Sequence, residues 1–178
     1  MRNRYIQPDH LDRIMRKADP DDRIIYILAI ETGFRIDDIL TMRQHHATTA
    51  ISTGALTLKE AKTGKRRSVQ LSSEALRAIL RQFQYNTPFK HPLRFFFPSK
   101  TTRRGQKRRK LHRSTVQRHF AQAVKRAGLA GRGYTVHSLR KVYARRLYDR
   151  TRSALAVMRD LNHDNLATTM LYLADLTM

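Results

Sequence analysis

The sequence predicts a single domain that is mainly α-helical with a small antiparallel β-sheet, an α+β fold. Three observations carry that expectation. Apolar residues recur at three- and four-residue intervals through most of the chain, as on the buried faces of helices. One stretch, from about 46 to 71, switches to the two-residue alternation of strands. The length, 178 residues, suffices for one hydrophobic core and falls short of two.

Taken in order, Pro8-Asp9 opens a helix whose apolar residues are Leu11, Ile14, Met15 and Ala18. Asp19-Pro20-Asp21-Asp22 interrupts it and starts a second helix, with acids at the positive end. That helix, about Asp21 to Glu31, is apolar nearly all round and is expected to be the central buried one, with Gly33 as its C-cap. A short third helix follows from Arg35 to Met42. Ala55 to Lys59 and Arg67 to Leu71 alternate as strands around the turn Lys62-Thr63-Gly64-Lys65, and a further short strand is expected near Thr48 to Ser52. Ser72-Ser73-Glu74 begins a helix reaching about Gln84, with Leu76, Ile79, Leu80 and Phe83 on its apolar face. Residues 86–98 read as a loop around the aromatic run Phe95-Phe96-Phe97. After a basic run, Ser114 is expected to cap a helix ended by Gly128, with Val116, Phe120, Val124 and Ala127 as its stripe. Helices from about His137 to Arg150, near 152–161 and near 165–173 complete the chain.

Composition narrows the partner. Lys and Arg number 36 against 14 acids, a formal charge of +22, and such a field favours a polyanion, most commonly nucleic acid. Hydrophobic residues, 40% of the chain, fall in periodic clusters, so this is a folded domain and not a disordered polycation. The absence of Cys excludes disulfides and thiolate metal sites. The longest apolar run, Ile24 to Ile30, is too short to span a membrane, and the first ten residues lack the apolar core of a secretion signal. A cytoplasmic location and no membrane partner are therefore expected. The eight histidines show no convincing ligand spacing with acids, so neither a metal nor another cofactor is expected.

Three stretches carry the chemistry. The first is Thr32-Gly-Phe-Arg-Ile-Asp-Asp38, in which Arg35 and Asp38 stand three apart on a predicted helix, so that the acid could orient the guanidinium. Read alone, that pair is an ordinary surface ion pair worth a few tenths of a kcal/mol, roughly. The second is His137-Ser-Leu-Arg140 at a helix start, where imidazole, guanidinium and the helix terminus can all meet a phosphate. The third is His163-Asp-Asn-Leu-Ala-Thr-Thr-Met-Leu-Tyr172. Each is weak singly. Together they offer two arginines, two histidines, an acid and a phenol, a set suited to work on a phosphodiester. A phenol of pKa about 10 needs a cationic pocket to become a nucleophile at neutral pH. Preorganised guanidinium groups stabilise the charge that develops on phosphorus oxygens in the transition state.

Thr32 to Leu40 resembles the first arginine box of the tyrosine recombinases, the phage integrase family. His137 to Lys141 is similar to that family's His-x-x-Arg box, and Leu161-Asn-His163 with Thr168 to Tyr172 resembles its last histidine and nucleophilic tyrosine. The resemblance runs from about residue 8 to 173 and implies the tyrosine recombinase/integrase catalytic-domain fold. It further implies that Arg35 and Arg140 hold the non-bridging oxygens of the scissile phosphate. Lys62, in the hairpin turn, would protonate the leaving 5′ oxygen, with Lys65 a rival in the same turn. His137 would assist proton transfer or bind the phosphate, His163 would contact a non-bridging oxygen, and Asp38 would support the site from behind. Tyr172 would attack phosphorus to form a 3′-phosphotyrosyl bond, whose ester conserves the energy for rejoining without ATP. Tyr134, Tyr143 and Tyr148 fit core or edge positions better.

The basic run offers Arg103, Arg104, Lys107, Arg108, Arg109, Lys110 and Arg113 as DNA-tracking residues, or else as a solvated loop. Duplex DNA is the expected partner. Family practice implies self-association on DNA as a synaptic tetramer, weak association or none off it, and accessory DNA-bending proteins. Two departures stand out. Asn162 occupies the place of the family's usual Gly, and Asn is the side-chain-bearing residue most tolerant of a left-handed turn. Only 34 residues precede Arg35, so residues 1–178 are expected to form a single catalytic domain without the N-terminal core-binding domain. These departures motivate a rival reading, a catalytically silent DNA-binding regulator on the same fold. An RNA-binding protein without an active site is a third, and it has no use for the ordered arginine, histidine and tyrosine set.

Overall fold

The computed structural model describes residues 4–86, 94–99 and 109–174, with the side chains of Thr168, Leu171, Tyr172 and Ala174 outside the description. The expected fold class holds: nine helices and one two-stranded antiparallel sheet among these residues. Helix α1, Pro8–Lys17, and α2, Pro20–Thr32, each begin on a proline, which costs nothing where the first N–H groups have no helical partner. Ile24, Ile25, Tyr26, Leu28, Ala29 and Ile30 of α2 are all buried, as its apolar circumference demands. Each such isoleucine or leucine contributes about 1.5–3 kcal/mol on burial. The helix α2 packs against α5, Ser73–Asn86, and α7, Val136–Thr151, and so forms the centre of the core.

A four-residue helix α3, Ile36–Ile39, follows Gly33, with Arg35 as its N-cap residue. The third helix is therefore shorter than the apolar pattern suggested, and Arg35 precedes it.

The expected strand near Thr48 to Ser52 is a correction: these residues belong to α4, Gln44–Thr53. The run of β-branched residues misleads there. His46 Nδ1 accepts the Arg43 backbone N–H at 3.1 Å and opens the helix, while Gly54, at φ 73°, closes it. Ala47 and Ala50 bury one face, and the Thr48 and Thr53 hydroxyls donate back to carbonyls one turn earlier. The sheet thus has two strands, β1, Ala55–Lys59, and β2, Arg66–Gln70, in a register that sets Leu58 opposite Arg67.

The helix expected to be capped by Ser114 is α6, Arg113–Arg126; His112 is its N-cap and accepts the Ser114 N–H. Phe96 and Phe97 are buried as their run implied, and Leu111 N donates to Phe97 O, so the far end of the basic run returns alongside residues 97–99. A second, smaller apolar cluster of Tyr143, Ala144, Leu147, Val157 and Leu161 seats α8, Ala154–Asp160, on α7. Helix α9, Leu166–Ala174, ends the described chain.

Gly33 joins α2 to α3 in the left-handed conformation at φ 65°, and a Cβ there would run into the Tyr143 ring. Replacing Gly33 by Ala is expected to cost about 2–5 kcal/mol, combining left-handed strain with overpacking. Gly54→Ala, where the nearest atom would be Gln70 Oε1 at 3.8 Å, should cost only the strain, about 1–2 kcal/mol. Urea midpoints of the two variants measure the difference directly.

Candidate active site

Arg35, Arg140, His137 and His163 come together from three separate parts of the chain. Arg35 and His137 line one cleft of about 170 Å³ with Arg140, Phe34 and Arg113. Arg140 sits on the buried side of α7 and is 1% exposed. Its Nη1 donates to Gly33 O, and its Nη2 donates to Leu161 O at 2.7 Å. The guanidinium thereby ties the α2–α3 junction to the turn before His163. The N-terminus of α7 is closed by Thr135, whose hydroxyl accepts from His137 N at 3.2 Å, while Thr135 N donates to Ser138 Oγ. That capping fixes His137 in the first turn of the helix, one turn before Arg140.

The residue that the sequence reading missed lies at the centre. Glu60, fully buried, has Oε2 3.6 Å from Arg35 Nη1 and Oε1 3.8 Å from Arg140 Nη1 and 3.6 Å from Arg67 Nε. Asn162 Nδ2 donates to Oε2 at 2.9 Å and the Thr63 hydroxyl donates to it at 3.1 Å. Burial alone pushes the Glu60 carboxyl up, but the Asn162 amide and the charges of Arg140, Arg67 and Arg35 outweigh it and hold the group below its ordinary value. A signal existed: Leu56, Leu58 and Glu60 share one phase of the strand alternation, so the acid continues the inward row. Arg67 occupies the matching inward position on β2, stacked 4.0 Å over the Phe34 ring and bonded to Asp160 Oδ2 at 3.2 Å.

The pairing expected between Asp38 and Arg35 is taken by Glu60. Arg35 precedes α3 and so does not share a helix face with Asp38. The Asp38 carboxylate, 1% exposed, accepts instead from Ala61 N at 2.9 Å, one residue before Lys62. Burial is the main cause that raises its pKa above the ordinary value. Lys62 and Lys65 are both exposed in the turn between the strands, and Lys62 lies near enough to His163 for its charge to lower the imidazole's pKa.

Asn162 adopts φ 50°, the left-handed conformation its residue type tolerates, and donates its amide to Glu60 besides. His163 Nδ1 pairs with the Thr169 hydroxyl at 2.9 Å, which ties the turn to α9; Tyr172 lies one turn further along that helix. Two of the other tyrosines are engaged elsewhere: Tyr143 donates to Asp160 at 2.6 Å, and Tyr134 pairs with His10 at 2.7 Å. Of the basic run, Arg103, Arg104, Lys107 and Arg108 lie outside the described residues. Arg109 is exposed, Lys110 forms an isolated bridge with Pro98, and Arg113 pairs with Asp37 at 3.6 Å on the rim of the cleft. Asp19, Asp22 and His119 are brought close enough to share a cation, although His119 and Asp22 already bond at 2.8 Å. They stand at the opposite end of α2 from Gly33, about 20 Å along the helix. Among the described residues no helix is long and apolar enough to cross a membrane.

Both histidines are neutral at pH 7. Burial first, then the charges of Arg140, Lys141, Arg35 and Arg113, lowers His137 to about 4. Burial, then Arg140, Arg35 and Lys62, lowers His163 to about 4. Unfolded histidine titrates near 6.5, so between about pH 6.5 and 4 the unfolded chain binds more protons than the folded one. Stability is then complete above pH 6.5 and falls as the pH drops toward 4. Urea midpoints across pH 7.5 to 5 should show this decline, and His137→Gln should flatten it.

A profile of the phage integrase family matches residues 4–177. Two curated relatives are each 28% identical: the TnP I resolvase of Bacillus thuringiensis, over 91% of this chain and 52% of that protein, and the probable integrase/recombinase YoeC of Bacillus subtilis (strain 168), over 85% and 76%. The chain thus spans about half the length of the resolvase. Among solved structures, XerA recombinase superposes with a TM-score of 0.79 at 20% identity, covering 94% of this chain and 59% of that one. A lambda integrase dimer bound to a core site gives 0.71 at 26% identity, over 99% and 61%. With an arginine, histidine and hairpin arrangement of this order, and a family match over almost its whole length, the chain belongs to the phage integrase family.

Proposed function

We propose that the protein is a site-specific DNA recombinase that cleaves and rejoins duplex DNA through a 3′-phosphotyrosyl bond at Tyr172. One observation carries this reading. Arg35, Arg140 and His137 line one cleft, while His163 lies within reach of the charges of Arg140, Arg35 and Lys62 and is tied to the helix bearing Tyr172. Arg35 and Arg140 clamp the non-bridging oxygens of the scissile phosphate. Arg suits this task because its planar fork meets two oxygens and does not deprotonate. Arg35 Nη1 is buried and has no hydrogen-bond partner among the described residues, so it keeps donor capacity for such an oxygen.

The Tyr172 phenol oxygen attacks phosphorus as its proton leaves, and the bond from phosphorus to the 5′ oxygen breaks. His137, neutral at pH 7, takes the phenolic proton, and the Lys62 ammonium gives a proton to the departing 5′ oxygen. His163 donates to a non-bridging oxygen, and Asp38 steadies the Lys62 turn through Ala61 N. Attack by a 5′ hydroxyl reverses these steps and releases the tyrosine, so one ester replaces another and neither ATP nor a metal enters.

Duplex DNA is the proposed substrate, drawn by a charge of +22. Arg109, Lys110 and Arg113, with the arginines and lysines of 103–108, track its phosphates. Solved lambda integrase structures include a dimer on a core site and a tetramer on a Holliday junction, which supports self-association on DNA for this chain. Asn162, a ground for the silent-regulator reading, fits its turn and bonds Glu60, which supports the enzyme reading.

Covalent trapping on a nicked duplex is expected to give a denaturation-resistant adduct with the wild-type chain and none with Tyr172→Phe, at unchanged DNA affinity. Binding without any adduct would instead identify a regulator. A duplex with sulfur in place of the 5′ bridging oxygen needs no proton donor at the leaving group. Lys62→Ala should therefore lose about 10²–10⁴-fold in rate on ordinary DNA and recover on the sulfur substrate. The same recovery by Lys65→Ala would move the acid role to Lys65.

A further inference from the structure

We propose that Glu60 is the positioning residue of this site: its buried carboxylate sets Arg35 and Arg140 in their working geometry before DNA arrives and couples them to the Lys62 and His163 turns. The inference rests on the recombinase reading and names how its phosphate clamp is built.

The strand alternation forces the residue inward. Glu60 follows Leu56 and Leu58 on the buried face of the hairpin, so its side chain enters the core rather than solvent. There it meets Arg35, Arg140 and Arg67 at 3.6, 3.8 and 3.6 Å. Guanidinium groups repel one another, and the attraction of a single carboxylate between them is what makes their convergence favourable in a region shielded from water. The contacts to Arg35 and Arg140 are ion pairs longer than ordinary hydrogen bonds. They fix position, and Arg35 Nη1, which has no hydrogen-bond partner among the described residues, can still meet a phosphate oxygen.

The same carboxylate reaches the other two parts of the machinery. Thr63, next to Lys62, and Asn162, next to His163, each donate a hydrogen bond to Oε2. The Glu60 backbone also closes the turn, with its N donating to Lys65 O at 2.9 Å and its O accepting from Gly64 N at 2.8 Å. Glu60 therefore contacts Arg35 and Arg140 directly and reaches the residues beside Lys62 and His163.

A positioning anion leaves a signature that a purely structural one does not. Its negative charge opposes that of the incoming phosphate, so it weakens ground-state binding while it organises the transition state. Removing the charge should separate affinity from rate. Glu60→Gln keeps the volume and an oxygen for Asn162. It is expected to bind a nicked duplex as tightly as wild type or several-fold more tightly at matched salt, while adduct formation at saturating DNA slows about 10- to 100-fold. Asn162→Gly, which preserves the left-handed turn but drops the amide, should slow the reaction in the same direction by less. In the DNA-free protein, NMR of the arginine Nε–H groups should show exchange-protected Arg35 and Arg140 signals that broaden or vanish in Glu60→Gln.

A rate within about threefold of wild type, a parallel fall of rate and affinity, or arginine signals indifferent to the substitution would each overturn the proposal. If wild type forms no adduct, the recombinase reading falls and the arginine signals alone decide the role of Glu60. Signals lost in Glu60→Gln would then uphold positioning, and unchanged signals would refute it.

Discussion

The constraint on which the structure depends is the cost of bringing positive charge together out of water. Three guanidinium groups, from the residue before α3, from β2 and from α7, meet around one anion they share, the Glu60 carboxylate. An isolated buried charge costs several kcal/mol or more, roughly, and is tolerated only when it is paired and hydrogen-bonded. Each partner here is held more than once. Arg140 donates to two carbonyls, Arg67 lies over Phe34 and bonds Asp160, and Glu60 accepts from Asn162 and Thr63. Held in this way, the network links segments more than a hundred residues apart in sequence, from Glu60 to Asn162.

Two left-handed residues make that convergence sterically possible. Gly33 turns the chain from α2 into the Arg35 segment while offering its carbonyl to Arg140, and Tyr143 packs where a side chain would otherwise be. Tyr143 in turn shares Asp160 with Arg67, so the packing behind Gly33 and the charge network are one structure. At the other end Asn162 makes the corresponding turn into His163. A glycine would supply the same backbone freedom but no donor. Asparagine supplies the turn and the bond to Glu60 together.

The helices were legible because their information is periodic and local. The apolar circumference of α2, the proline starts and the Gly33 cap can each be read within a dozen residues. The segment at 48–52 was not legible, because its β-branched composition and its end caps argue oppositely; the Arg43–His46 cap and two buried alanines prevail over propensity. The candidate site divides in the same way. Arg35, His137, Arg140 and His163 were visible as motifs. Three-residue spacing pointed from Arg35 to Asp38, whose carboxyl does feel the Arg35 charge. The ion pair is made instead by Glu60, just past the end of β1, which no local spacing encodes. Glu60 and Arg67 could have been noticed as charges in the inward phase of alternating strands, but their mutual pairing depends on strand register, which nothing local encodes.

The overall charge and the charge inside the cleft serve different ends. At a distance the chain is strongly cationic, which draws a polyanion from any direction. Within the cleft the positive charge is restrained: Glu60 offsets the guanidinium groups, and both histidines lie near pKa 4 and so are neutral. A phosphate entering there changes the balance in a definite direction. Its negative charge opposes the guanidinium charges that depress the histidines, and it therefore raises their affinity for protons. In the proposed reaction, the imidazoles would then hold the proton of an attacking phenol better once a phosphate is in place. On the proposed reading, donors already held by contacts within the protein would leave little reorganisation for the moment when charge develops on the phosphorus oxygens. That arrangement makes electrostatic stabilisation most effective in the transition state and limits how tightly the ground state is held.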